Sequence, residues 1–460
     1  MRQVITTLLF ALSFIGFANA QYQLGLRLET FAGANSLAIN PVGNLNNPNK
    51  WDMNLAGGGL YLQNNYAYLE DIGLANLVWH SHSIKLVRAE NAEATVARSK
   101  VTVDFANDSD RRYLHSMTYV AGPSIALRFG KNNSIGAFCN MRSAIGGKDL
   151  PNELSYYKFK SKSVTEQLAI PKLRFSMLNW SEIGLNYARK IPTNTGSINF
   201  GATFKYLLGH QAGLAKSNEP YFYGNLPGTD ISIQLPDGQV DFAGELSKSK
   251  LLEVNGRGIG ADLGFAYIFQ DHYGEGYKLK LGASLMDLGR IQFHKNTQVY
   301  RLRLDTTVVV DLERYKHYNY PDDLDEAIHD FSHELLKTQV SATETESFSM
   351  SLPAAFSLQV DYGLAKNIYL NALLVQQLPS GGRTAVRSNL LAFTPRWQTK
   401  WFSASAPLCW NDWKTLKLGL AMRLNWLVLG TDDFASVFLN RKFTGTDYYF
   451  AIKINPIKTK

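Results

Sequence analysis

Cysteine is nearly absent: Cys139 and Cys409 are the only two in 460 residues, far apart and in no C-x-x-C pair. That argues against a disulfide framework and against a Cys-built zinc site. Beyond residue 20 there is no uninterrupted apolar run of about 18 residues, the length a membrane-crossing helix needs. A spanning helix is therefore excluded, and the long helical periodicities of a bundle are missing too. Lys and Arg are spread along the chain, with a net charge of +8. An unclustered balance of this kind fits a mildly basic lumen and rim better than a nucleic-acid surface.

What is present begins with MRQVITTLLFALSFIGFANA. Arg2, the apolar stretch from Val4 to Phe17 and the A-x-A pair Ala18 and Ala20 predict a secretory signal peptide over residues 1–20, cut before Gln21. The remaining chain holds 23 Tyr, 25 Phe, 8 Trp and 36 Gly. This composition suits a closed β-barrel, which satisfies its backbone in lipid and hides a polar lumen from hydropathy scans.

Strand alternation recurs throughout. In GIGADLGFAYIF, Ile259, Leu263, Phe265 and Tyr267 share one face, while Gly260, Asp262, Gly264 and Ala266 share the other. The same pattern runs through SEIGLNYARK, SINFGATFKYLLG, TLKLGLAMRL and the terminal TDYYFAIKIN. Opposite the apolar face lie Gly, Ala, Ser and Asn, which fit a barrel interior better than a solvated surface. Short connections near 130–133, 192–196, 270–276, 363–367, 398–400 and 425 alternate with long ones near 63–112, 144–179, 210–256 and 297–346. About fourteen antiparallel strands are expected, short turns on the periplasmic side and long loops outside. The last strand would close on the first, near WDMNLAGGGLYL, leaving no edge.

NSLAINPVGNL, followed by a Gly-rich first strand, resembles the Asn-Pro-centred hatch of the long-chain fatty-acid transporter (FadL-like) superfamily. GIGADLGFAYIF, LGASLMDLGRIQFHKN and LGLAMRLNWLVLGTDDFASVF resemble an uncharacterised Bacteroidota outer-membrane barrel family, itself similar to PorV-type barrels. The resemblance implies an all-β transmembrane barrel of residues 51–460 in the outer membrane. It also implies an N-terminal hatch over 21–50, with Asn40 and Pro41 shaping it.

Inward parity places Arg128, Arg142, Lys205, Lys278, Lys280, Lys417, Arg423 and Lys453 toward the lumen, with Asp262, Asp361 and Asp447. These cations would either attract an anionic solute or form cross-strand ion pairs that fill the barrel. A helix is predicted near 321–338, where His329 and His333 have the i, i+4 spacing of two metal ligands but no evident third. No metal or other cofactor is expected. An enzyme is not expected either, since no Ser motif has a nearby His and the acidic pairs read as rim residues. Trp51, Tyr206, Tyr267, Tyr362, Trp401, Trp426 and Tyr448 are expected in lipid-interface belts, and Trp79, Trp410 and Trp413 in loops. The function expected is passive passage of a hydrophobic or amphipathic, anionic small solute through a hatch-gated barrel. The alternative is a closed scaffold or secretion-system component that binds an outer-membrane or periplasmic protein through its long loops.

Overall fold

The computed structural model describes residues 22–455 except 80–84, 89–99, 109, 153–154, 156, 158–167, 226–229, 245–249, 271–276, 303–306, 316, 318–329, 331–333, 335–340, 344–346 and 380–381. The expected signal-peptide cut and nearly all of the helix expected near 321–338, including His329 and His333, lie outside the described residues.

Fourteen antiparallel strands form a closed ring. In chain order they are β1 (Trp51–Asn64), β2 (Arg112–Phe129), β3 (Asn133–Leu150), β4 (Arg174–Thr193), β5 (Gly196–Ser217), β6 (Gly256–Gln270) and β7 (Tyr277–Phe293). There follow β8 (Phe348–Ser351 and Ala355–Ala365), β9 (Ile368–Gln377), β10 (Leu390–Gln398) and β11 (Phe402–Ser405 and Leu408–Asn411). The last three are β12 (Thr415–Leu418 and Leu420–Leu424), β13 (Leu427–Thr431) and β14 (Gly445–Ile454). Pro353 interrupts β8 and Pro407 interrupts β11, each where a missing N–H would break the ladder. The ring closes where β14 pairs antiparallel with β1, Leu60 opposite Tyr448 and Asn54 opposite Lys453.

The alternation decides which way each side chain points. On β4, Ile183, Leu185 and Tyr187 are exposed on the outside while Glu182 and Asn186 are buried within. On β5, Phe200, Phe204 and Tyr206 face out, and Asn199, Thr203 and Lys205 face in. The result is an inverted protein: a continuous apolar exterior around a polar interior. An exposed apolar surface of this extent requires a nonaqueous neighbour.

The long connections build two small sheets beyond the ring. One joins Ala67–Ile72, Lys85–Arg88, Lys100–Phe105 and Arg441–Phe443; the other joins Leu168–Ile170, Tyr221–Asn225, Asp230–Gln234 and Val308–Asp311. Residues 22–50 fold inside the ring as a short helix, α1 (Leu24–Arg27), and two 3-10 turns, Gly33–Ala38 and Gly43–Asn46.

Candidate functional site: the inner segment and the charged lumen

The Asn-Pro pair of the inner segment is bonded to three wall strands at once. Asn40 Nδ2 donates to the carbonyls of Phe265 on β6 (3.2 Å) and Ala283 on β7 (3.3 Å), and its Oδ1 accepts from Val42 N (3.2 Å). Asn186 Nδ2 on β4 donates to Pro41 O (3.1 Å), and Ser284 Oγ to Ile39 O (2.6 Å). Glycine on the wall makes this approach possible: a Cβ on Gly264 would lie 2.3 Å from Asn40 Oδ1 and 2.7 Å from Pro41 Cδ.

On the opposite wall the segment is held by charge. Glu29 accepts from Arg423 Nε and from Ser403 Oγ, both at 2.8 Å. Lys453 pairs with Asp52 (3.3 Å) and donates to the carbonyls of Ala32 (2.9 Å) and Phe31. At α1, Leu24 N donates to Asp432 Oδ2 (3.3 Å), while Tyr449 OH accepts from Gly25 N (2.8 Å) and donates to Asp432 Oδ1 (3.2 Å). Burial pushes the Asp432 carboxyl up to about 7. Burial likewise lowers the Arg27 guanidinium from its ordinary value, against the opposing pull of Tyr119, whose ring it covers at 4.7 Å.

A network of buried charges fills the lumen beside the segment. Arg142 forms a bidentate pair with Asp287 (2.7 and 2.9 Å) and also reaches Glu182 (3.3 Å). Lys205 lies 2.8 Å from both Asp262 and Asp287, and Arg387 is a further partner of Asp287. Nearer the short turns, Arg396 pairs with Asp361 at 2.7 Å, and Tyr277 OH donates to the same carboxylate (2.9 Å). Lys417 pairs with Asp433 (3.0 Å). Arg142, Lys205, Asp262, Asp361, Lys417, Arg423 and Lys453 thus all lie in the interior in ion pairs.

Three of the expected lumen residues differ from that pattern. Arg128 is half-buried at the short-turn mouth, donating to Asn49 O (3.1 Å) and Pro48 O (3.0 Å) where the inner segment leaves the ring. Lys278 is exposed at the rim rather than in the lumen, its ammonium 4.6 Å from the centre of the outward Tyr362 ring. The β6 register shifts between Phe269 and Gln270, and Tyr277 takes the interior place at the start of β7. Lys280 is the third: it faces the lumen, yet its ammonium forms no hydrogen bond or ion pair with any described residue.

Parity did not lead to Glu29, Asp52, Asp287, Arg387 or Arg396. Glu182 could have been found, since it shares a face with Asn186. Asp287 could not: it sits at a positive φ of 57° where the strand bulges, so its direction does not follow from counting.

Among the described residues, two chambers border the inner segment. Toward the long connections, one is lined by Tyr22, Met117, Tyr119, Phe138 and Arg142; toward the short turns, the other is lined by Asn46, Tyr277, Lys280 and Gln359. Arg27 lines both.

A family model described as "Family of unknown function (DUF5723)" matches residues 44–432. No functionally curated protein matches the sequence. Among solved structures, the chain is similar to the toluene transporter TodX of P. putida, at 10% identity and TM-score 0.43 over 93% of this chain and 95% of that one. It is also similar to the Ralstonia pickettii toluene transporter TbuX (11%, TM-score 0.38, 92% and 93%) and to a Pseudomonas aeruginosa FadL homologue (9%, TM-score 0.30, 95% and 98%).

Proposed function

Because the chain belongs to DUF5723, a family whose description assigns no function, we propose a role from the barrel itself: passive passage of an amphipathic, anionic small solute across the outer membrane, gated by residues 22–50. The apolar exterior supports the location, since a ring of exposed Leu, Ile, Phe and Tyr is stable only against lipid. Lys280 carries the functional reading. Among the described residues, Arg142, Lys205, Arg387, Arg396, Lys417, Arg423 and Lys453 each pair directly with a carboxylate, whereas Lys280 faces the inner chamber with no direct ion pair, feeling only the carboxylate of Asp361, which Arg396 already holds. An ammonium with no bonded counter-ion in a low-dielectric space is stabilised by an entering anion. Arg27, between the two chambers, gives the same charge a second station. The apolar lining from Met117, Phe138 and Leu37 suits the rest of an amphipathic solute.

A second reading has its own support. The network joining Arg142, Lys205 and Arg387 to Glu182, Asp262 and Asp287 fills and rigidifies the interior. That suits a permanently closed scaffold whose long loops bind another protein.

Proteoliposome flux separates the two. For a transporter, medium-chain carboxylates cross faster than through protein-free vesicles, deletion of residues 22–46 raises the rate, and Lys280→Met lowers carboxylate flux but not that of a neutral analogue. Flux at the protein-free level in both wild type and deletion, with affinity purification recovering a stoichiometric outer-membrane protein, establishes the scaffold instead.

A further inference from the structure

Ser181 and His210 are 29 positions apart in sequence and meet on the outward side of the wall, where Ser181 is half-buried and His210 is buried (3% exposed) beside the backbone of residues 251–253. Ser181 Oγ lies 2.8 Å from His210 Nε2, and His210 Nδ1 lies 3.1 Å from the backbone carbonyl oxygen of Glu253. A carbonyl oxygen can only accept, so Nδ1 carries the ring hydrogen and Nε2 presents its lone pair to the Ser181 hydroxyl. That polarity is the one a serine nucleophile and its general base require, with the third group fixing the imidazole tautomer.

The backbone is built to bring them together. Trp180 pairs with Gly209 and Asn179 pairs with Gln211, so His210 is the extra residue of a bulge opposite a single step of β4. A bulge re-aims a side chain, and bulges recur beside active sites. Glu182 points into the lumen; Ser181 therefore shares the outer face with Ile183, which is 49% exposed. Ile183, Tyr206 and Ile259 form the upper border of the apolar band just below the pair, and Leu252, 65% exposed, stands next to Glu253. The pair is thus set where hydrocarbon gives way to headgroups. Two positions from Ser181 on the same face, Asn179 Nδ2 donates to Gln211 Oε1 (3.0 Å), and Gln211 Nε2 donates to Leu251 O (3.1 Å). The amide of Asn179 is held by one of its hydrogens and has a second to offer.

From this geometry we infer that Ser181 and His210 form an acyl-ester hydrolase site for lipids of the leaflet on the long-connection side. Ser181 Oγ attacks the ester carbonyl carbon while His210 Nε2 takes the hydroxyl proton. The tetrahedral oxyanion accepts from Asn179. Collapse breaks the bond to the alkoxide, which leaves with the proton from His210. Water, deprotonated by His210, then cleaves the acyl-serine, releasing a carboxylic acid and restoring the hydroxyl. No cofactor or redox partner enters the balance. The inference stands apart from the transport reading, which concerns the opposite face of the wall.

The test uses the purified full-length barrel in micelles with a fluorophosphonate probe and, in parallel, dihexanoyl phosphatidylcholine. The expected result is a covalent adduct mapped to Ser181, absent from Ser181→Ala and His210→Asn. Fatty-acid release should fall to background in both variants and by about 100-fold in Asn179→Ala, as loss of one oxyanion donor does. All variants should keep the wild-type thermal midpoint within a few degrees, which separates chemistry from folding. Failure of wild type to label, or release no faster from wild type than from Ser181→Ala, overturns the inference, and so does labelling without turnover.

Discussion

At Gly264 the wall has no side chain because the Asn40 amide and the Pro41 ring occupy that place. Gly264→Val should therefore push the inner segment off β6 and β7, at a cost of about 1–3 kcal/mol typical of overpacking. The measurement is heat- or denaturant-induced unfolding in micelles, with protease sensitivity of residues 22–50 as the local readout. An unchanged midpoint and unchanged sensitivity would show that the Asn-Pro contact is dispensable. Residue direction was legible where a strand alternates without interruption, which is how Lys205, Asp361, Arg423 and Lys453 were read as interior. Their partners were not legible. Glu29 and Arg423 are 394 positions apart, and no pattern within either strand encodes the meeting. Lys278 shows the complementary failure, because a local register shift reverses what parity predicts.

At the scale of elements, one half of the barrel holds the inner segment by carbonyls and the other half by charge. The charged half is the more sensitive. Arg423→Met leaves Glu29 buried without its cation, and breaking such a pair from one side costs about 3–5 kcal/mol. Adding Glu29→Gln should recover most of that loss in denaturant titrations; no recovery would mean that Arg423 acts through packing on Phe31 instead.

Docking of α1 should also depend on pH. Asp432, held up at about 7 by burial against an ordinary value of 3.8, stabilises the docked state only while protonated. Asp447, Asp433 with its partners Lys417 and Arg441, and Tyr449 surround it. Docking is then strongest below about pH 4 and weakens as pH rises through 7. Hydrogen exchange at Leu24 and Gly25, corrected for its intrinsic pH dependence, should show less protection at pH 8 than at pH 5, and Asp432→Asn should flatten the difference. A wild-type profile as flat as the variant's would assign the pH response elsewhere. The existence of an Asn-Pro segment was visible in NSLAINPVGNL, but its anchoring was not, since Asp432 reads in sequence as half of an exposed acidic pair.

Over the whole molecule, the sequence announced the ring through its alternating short and long connections, and the strand number followed. The two accessory sheets were not foreseen, because their strands are three to six residues long and draw partners from distant connections. Nor was the outward position of Trp410 and Trp413, which sit edge to face (5.4 Å) at the turn joining β11 and β12 rather than inside a loop. With Trp397, Trp401 and Trp426 exposed near the short turns, the aromatic residues mark both borders of the apolar band. Lipids brominated near the headgroup should quench these five more than lipids brominated at the chain end, and neither should reach the fully buried Trp180. No quenching by either lipid would place the apolar exterior against something other than a bilayer.

The seam between β14 and β1 carries a consequence for how the ring stays shut. Asp52 belongs to the first strand and Lys453 to the last, and both also grip the inner segment, Asp52 through Ala34 N (3.3 Å) and Lys453 through the carbonyls of Phe31 and Ala32. The stretch that must be swallowed immediately precedes the strand that must be joined. The contacts that close the seam and those that hold the amino-terminal stretch therefore share the same two side chains. Closure of the β14–β1 seam and capture of the stretch are thereby coupled, so a barrel lacking residues 22–46 should still seal but open its seam at a lower denaturant concentration than the full chain, as read by protease cleavage.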